Sequence, residues 1–204
     1  MEYFKTHDLR QWTHKFYMAY HFPYYISWKL GLISDQTFQK PWPVHLGWYL
    51  RGYSIEQANH IWEWVTKTQV ANNWRADTCR ILHRHQEQGD LTFLVSGTPI
   101  SLLHWLAREI NADHVVGSQL EIKDGKFTGR NSSPACIGEE KVTLTKHYLK
   151  KVGLDIDFSK SHAYADSLAD RYLLGMVGYP TATYPDEKLK QLAIQQNWGI
   201  FPPD

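Results

Sequence analysis

Residues 91–99 read Leu91-Thr92-Phe93-Leu94-Val95-Ser96-Gly97-Thr98-Pro99. The short, nearly continuous apolar run is the pattern of a strand buried on both faces of a parallel sheet. Ser96 falls at its C-terminal tip, and Pro99 suits the first position of a following helix. Gly97 lets the backbone approach a ligand. The free N–H groups of the new helix favour an anion, and the Ser96 hydroxyl adds a donor. In α/β sheets ligands gather outside the carboxyl ends of strands. On these residues alone, phosphate binding stands beside a plainer reading in which Thr98 caps the helix and Ser96 sits in a turn.

Strands and helices alternate outward from this stretch. A helix is expected over 76–88, stopped by Gly89, and another over 99–110. Residues 114–116 begin a short strand. Segments 120–123 and 126–128 flank Asp124-Gly125, a hairpin signal. A helix follows over 139–150, a strand over 162–165, and a helix to about 176. A strand over 181–183 and a helix over 186–197 close the pattern. Such alternation predicts an α/β fold, with a parallel Rossmann-like sheet and helices on both faces.

The front has another texture. Most of the chain's 9 Trp and 12 Tyr lie toward it. Phe16, Tyr17, Tyr20, Phe22, Tyr24, Tyr25, Trp28 and Leu30 share one segment, which Pro23 is expected to interrupt. Ser54 followed by Gln57 fits a capping box, and Ile55, Ala58, Ile61, Trp62 and Val65 recur at helical spacing. The expected division is therefore a small helical module over 1–75 and an α/β core over 76–204.

Composition narrows the function. Hydrophobic residues make up 43% and charged residues 21%, which excludes wholesale disorder. Lys and Arg number 22 against 21 Asp and Glu, a net charge of +1, so no positive field points to nucleic acid. Cys79 and Cys136 lie far apart without a C-x-x-C, which argues against a disulfide framework or a four-cysteine zinc site. No run reaches the length of a membrane span, and no signal peptide is read at Met1. A reduced cytoplasmic compartment is expected. His83 and His85 stand two apart in a helical pattern, do not share a face, and read as polar surface. The aromatic stretch 16–32 reads as core or pocket lining ahead of membrane contact, so a membrane partner is not expected.

Two further motifs carry chemistry. Tyr164-Ala165-Asp166-Ser167-Leu168-Ala169-Asp170 follows an expected strand, with Asp166 at its tip and Asp170 four residues on. Both carboxylates can face one mouth if a helix begins between them. Hard oxygens near a phosphate suit Mg²⁺, which takes only one or two carboxylates. The plainer reading makes Asp166 an N-cap and Asp170 a first-turn acid. Lys141, in Gly138-Glu139-Glu140-Lys141, opens a helix against its dipole, and can neutralise a phosphate or a carboxylate; a solvated surface lysine is the alternative.

Taken in order, the hydroxyl of Ser96, the Lys141 ammonium and the Asp166/Asp170 pair resemble the haloacid dehalogenase superfamily. More narrowly they resemble its phosphoserine-phosphatase-like branch with a helical cap of the IB type. The likeness extends from about Trp28 to the C-terminus and includes the stretch from Gly117 to Arg130 and the tail Tyr184-Pro185-Asp186 with Leu189, Ala193 and Trp198. It implies that residues 1–75 are mainly the helical cap. It also implies a phosphomonoesterase acting on a small phosphorylated metabolite with Mg²⁺. In that scheme Ser96, Gly97 and Thr98 hold the phosphate, and Lys141 offsets its charge. Asp166 holds Mg²⁺, and Asp170 supports the metal or Lys141. A cap for an amino-acid ester would want an Arg and a carboxylate, and Arg51, Glu56 and Glu63 are available.

One part of the family pattern is missing. The family opens on an apolar strand ending D-x-D-x-T, whose first Asp attacks phosphorus. Residues 1–8 hold no such strand. Asp155-Ile156-Asp157 is a D-x-D, but its place matches the loop before the Asp166 strand, so it is rejected as the nucleophile. The family's absent strand is the central one of the sheet, so another segment or a partner is expected to supply it. As it stands the chain is expected to be truncated or inactive; the alternative is a non-catalytic phosphate-binding or interaction protein.

Overall fold

A computed structural model describes residues 1–34, 37–38 and 41–202. The chain forms two compact units, Met1–Ala135 and Cys136–Asp204.

The first unit opens on helices: α1 (Glu2–Thr6), α2 (Gln11–Lys29), α3 (Pro41–His45), a 3₁₀ turn (Leu46–Leu50), α4 (Ile55–Val65) and α5 (Ala76–Glu87). The Ser54 capping box is formed: Gln57 N–H donates to Ser54 Oγ and Ser54 N–H to Gln57 Oε1. Pro23 does not interrupt α2, contrary to the sequence reading. Proline withholds a bond from the carbonyl four residues back, Ala19, and both residues are exposed, so water can serve that carbonyl. Phe4, Tyr17, Tyr49, Leu50, Ala58, Ile61, Trp62 and Phe127 form the core under these helices.

Strand β1 (Phe93–Pro99) pairs in parallel with β2 (His114–Ser118), crossing over through α6 (Ile100–Glu109). Pro99 ends β1 and caps α6 rather than starting the helix, and the register slips between Ser96 and Pro99. β3 (Leu120–Lys123) and β4 (Lys126–Asn131) form the expected hairpin, with φ of 51° at Asp124 and 74° at Gly125.

The second unit runs α7 (Glu140–Val152), a 3₁₀ turn (Phe158–Lys160), β5 (His162–Ala165), a 3₁₀ turn (Leu168–Asp170), α8 (Arg171–Leu174), β6 (Tyr179–Thr183), α9 (Glu187–Gln196) and β7 (Gly199–Phe201). β5, β6 and β7 are parallel and adjacent in that order. Leu174, Ala182, Leu189 and Ala193 are buried at its centre. Parallel strands joined through helices bear out the expected α/β class. β1 and β5 are each terminal in their sheets, with one strand neighbour apiece among the described residues.

Candidate phosphate and metal site

In the first unit, Ser96, Gly97 and Thr98 lie at the carboxyl end of β1, where its ladder with β2 becomes irregular. Thr98 N–H donates to Ser96 Oγ at 3.2 Å, and Ser96 O–H donates to Thr98 Oγ1 at 3.1 Å. This closed turn leaves the proton of the Thr98 hydroxyl free to point outward. Helix α6 begins with no side-chain cap, so its first N–H groups are left for water or a ligand. Gly97 is held from behind, its carbonyl accepting from the buried Ser118 hydroxyl at 2.8 Å. Gly117 is required here: a Cβ would lie 2.8 Å from the Thr98 carbonyl oxygen and 2.5 Å from Leu103 Cδ1. The sequence reading included Gly117 and Ser118 in the family resemblance but gave them no role behind the Ser96–Thr98 turn, since a serine and a glycine in a strand carry no chemistry of their own.

In the second unit, Asp166 follows the last residue of β5 and is exposed. Among the described residues its carboxylate has no hydrogen-bond or ion-pair partner. Asp170 ends the next 3₁₀ turn, caps α8 and is buried. Its Oδ1 lies 2.5 Å from Lys141 Nζ, with both side chains largely covered. That pairing explains a lysine placed against the dipole of α7. Asp170 therefore contacts Lys141, one of the two roles the sequence left open to it. The exposed Asp166 carboxylate, without a partner among the described residues, is a hard oxygen donor of the kind Mg²⁺ takes.

Asp186 is the residue sequence reading undervalued. Its Oδ1 accepts from Leu189 N–H at 2.8 Å, which makes Asp186 the N-cap of α9 rather than its first residue. Its Oδ2 accepts from Leu168 N–H at 3.0 Å, and its own N–H donates to Asp166 O at 2.8 Å. One side chain thus fixes the loop that carries Asp166. The helix start was visible in the sequence, but the reach across eighteen positions was not. Asp157 lies in the loop before β5, where it accepts from Ser159 N–H at 3.0 Å and Ser159 O–H at 2.6 Å, bonds that hold its carboxyl below the usual range.

Of the cap candidates, Glu63 is paired with Lys67 at 2.7 Å, while Arg51 and Glu56 are exposed. His83 bonds Gln86 and His85 bonds Asp90 on α5. Among the described residues no group of three or more His, Cys, Asp or Glu gathers around a common point.

Each unit thus has parallel strands with polar side chains at a carboxyl end: hydroxyls at the end of β1 in the first, and Asp166 with the Lys141–Asp170 pair after β5 in the second. The chain belongs to the haloacid dehalogenase-like hydrolases, whose family pattern matches residues 3–175. It is 29% identical over 152 residues to a Mycobacterium leprae protein named as a hydrolase, covering 74% of this chain and 50% of that one. It is 27% identical over 152 residues to the phosphoserine phosphatase SerB1 of Mycobacterium tuberculosis, covering 74% and 49%. The chain therefore spans about half the length of these relatives. Among solved structures, a Bordetella pertussis protein of unknown function superposes with a TM-score of 0.76 at 23% identity, over 87% of this chain and 78% of that one. A phospho-aspartyl intermediate analogue of phosphoserine phosphatase gives 0.56 at 16% identity, over 89% and 78%.

Proposed function

We propose that this chain carries the phosphate-gripping and metal-binding elements of a Mg²⁺-dependent phosphomonoesterase acting on a small phosphorylated metabolite. The observation that carries the reading is Lys141 held on buried Asp170, one turn beyond the exposed carboxylate of Asp166. A buried ion pair contributes little net stability, because desolvating both charges offsets their attraction. Its retention beside a free carboxylate points to chemistry.

In this reading Thr98 O–H and the first amides of α6 hold the phosphate oxygens, and Ser96 orients Thr98. Lys141 offsets negative charge on the transferring group, and Asp170 positions the ammonium. Asp166 would hold Mg²⁺, which when bound neutralises charge on the phosphoryl oxygens. No carboxylate of this chain is assigned as the attacking atom. In this reading the chain by itself binds phosphate without turnover. Cys79 and Cys136 are not joined in a disulfide, which suits a reducing cytoplasmic setting.

The test is thermal stabilisation by inorganic phosphate and Mg²⁺, measured beside aryl-phosphate hydrolysis. Phosphate should raise the melting temperature. The shift should shrink in Thr98→Val and Lys141→Met, and Asp166→Asn should remove the Mg²⁺ contribution. A Mg²⁺ contribution that survives Asp166→Asn would overturn the metal assignment, hydrolysis by the chain alone would overturn the reading that it lacks the attacking carboxylate, and absence of any phosphate shift would overturn the site. Phosphoserine is the first ester to try, since the Mycobacterium tuberculosis relative is named for it.

A further inference from the structure

Helix α2 is apolar on two opposite sides. Tyr17 and His21 are buried in the first unit, and Tyr17 O–H donates to the Trp42 carbonyl at 2.8 Å. The other side carries Trp12, Phe16, Ala19, Pro23, Ile26 and Leu30. Successive members stand four, three, four, three and four residues apart, which aligns them along one face. All six are exposed, Trp12 by 82%, Phe16 by 61% and Leu30 by 68%. A helix apolar all round is ordinarily covered all round, and an exposed apolar stripe of this length marks a docking surface.

Charge identifies what docks. From Leu9 to Ser34 the charged side chains are Arg10, Lys15 and Lys29, with no Asp or Glu. Both lysines flank the stripe on the same side. Lys15 Nζ lies 4.9 Å from the centroid of the Trp12 ring, and Lys29 Nζ 5.4 Å from that of Tyr25. Each ammonium is therefore tethered beside an aromatic ring, the pairing that suits the boundary between headgroups and acyl chains.

We propose that this face of α2 lies on an anionic phospholipid surface. Trp12, Phe16, Ile26 and Leu30 enter the acyl boundary, and Lys15 and Lys29 meet the phosphates. The helix is about 28 Å long and lies in the plane. No helix of the described residues is long and apolar enough to cross a membrane. A second copy of α2 is the weaker occupant. Antiparallel pairing about a two-fold axis near Phe22 sets each Lys15 against the partner's Lys29, with no carboxylate in the segment to relieve the repulsion. The sequence reading placed the aromatics of 16–32 in core or pocket lining; Tyr17 and His21 are buried, while Phe16, Phe22, Ile26 and Leu30 are exposed.

Co-sedimentation of the chain with vesicles tests this, comparing phosphatidylcholine alone with phosphatidylcholine mixed with phosphatidylglycerol. Binding should require phosphatidylglycerol and weaken with salt. Trp12→Ser with Phe16→Ser should reduce it roughly tenfold or more, from the apolar area withdrawn from the acyl boundary. Trp12 is 82% exposed, whereas the Phe16 ring lies 5.5 Å from that of Trp48, so the melting temperature should fall only slightly and Trp12→Ser alone should leave it unchanged. Lys15→Glu with Lys29→Glu should abolish the preference for phosphatidylglycerol. Trp28 stacks on Phe38 at 4.8 Å and is a poor choice of variant. Failure to sediment with anionic vesicles would overturn the proposal, as would binding indifferent to these substitutions. A dimer in sedimentation equilibrium that Trp12→Ser with Phe16→Ser converts to monomer would assign the face to a second copy instead.

Discussion

Lys141 and Asp170 are more informative as a pair than either is alone. Removing one partner leaves the other buried and uncompensated, so Lys141→Met or Asp170→Asn should cost about 3 kcal/mol by urea denaturation. The double change Lys141→Met with Asp170→Leu should regain most of that loss while still abolishing the phosphate-induced shift. Equal destabilisation by the double variant would show that the pair itself builds the fold. Lys141 and Asp166 were legible in the sequence because a lysine opposing a helix dipole and an acid at a strand tip are local anomalies. The contact between Lys141 and Asp170 was one of two roles the sequence left open for Asp170, and it could not be singled out there because it depends on how two segments thirty residues apart approach. The Ser96–Thr98 turn was half legible: the sequence placed both residues at a strand end but gave no sign that they bond each other.

At the scale of elements, the ends of strands are set by side chains that bond backbone. Asp113 precedes β2 and accepts from Thr92 N–H at 2.8 Å and Thr92 O–H at 2.7 Å, just before β1 begins. These bonds hold the Asp113 carboxyl below its ordinary range. A lowered folded-state pKa means that the unfolded chain binds the proton first. The contribution is therefore complete above the unfolded carboxylate value near 3.9 and is lost as pH falls through the folded one. Asp113→Asn should reduce stability at neutral pH and flatten the acid limb of a stability–pH curve; an unchanged acid limb would refute the assignment. Asp186→Ala should cost about 1 kcal/mol as a lost helix cap. It should also weaken Mg²⁺ binding, because the same carboxylate fixes the Asp166 loop. Asp186→Asn, which retains one acceptor, should recover part of the cap but less of the metal affinity. Gly117→Ala should push Thr98 from its place and lower phosphate affinity more than it lowers the melting temperature. Strand and helix positions were largely legible from periodicity and turn residues. β7 was not, because Gly199-Ile200-Phe201 is too short to show a period of two; it is fixed by its ladder with β6 and by Tyr184 N–H donating to Phe201 O.

Over the whole molecule, the same strands that end in functional residues also end their sheets. Among the described residues, β1, which carries Ser96, is bordered by β2 alone, and β5, which leads to Asp166, by β6 alone. Parallel strands in α/β proteins are ordinarily bracketed on both sides, because an edge leaves backbone groups without ladder partners. A strand added beside either one would therefore be stabilised by main-chain bonds whatever its sequence, and by burial if apolar. If that strand also ends in D-x-D-x-T, its first Asp would lie at the carboxyl end of a parallel neighbour, on the side of the sheet where α/β proteins bind ligands. Fold completion and catalysis then become one event. A chain extended at its N-terminus by such a strand should melt about 5 °C higher or more. It should slow amide exchange in β1 or β5, and hydrolyse an aryl phosphate in the presence of Mg²⁺. Replacing the first Asp of the added strand by Asn should abolish hydrolysis and keep the gain in stability. Hydrolysis without slower exchange at β1 or β5 would place the nucleophile elsewhere, and slower exchange without hydrolysis would leave the fold completed and the proposed chemistry refuted.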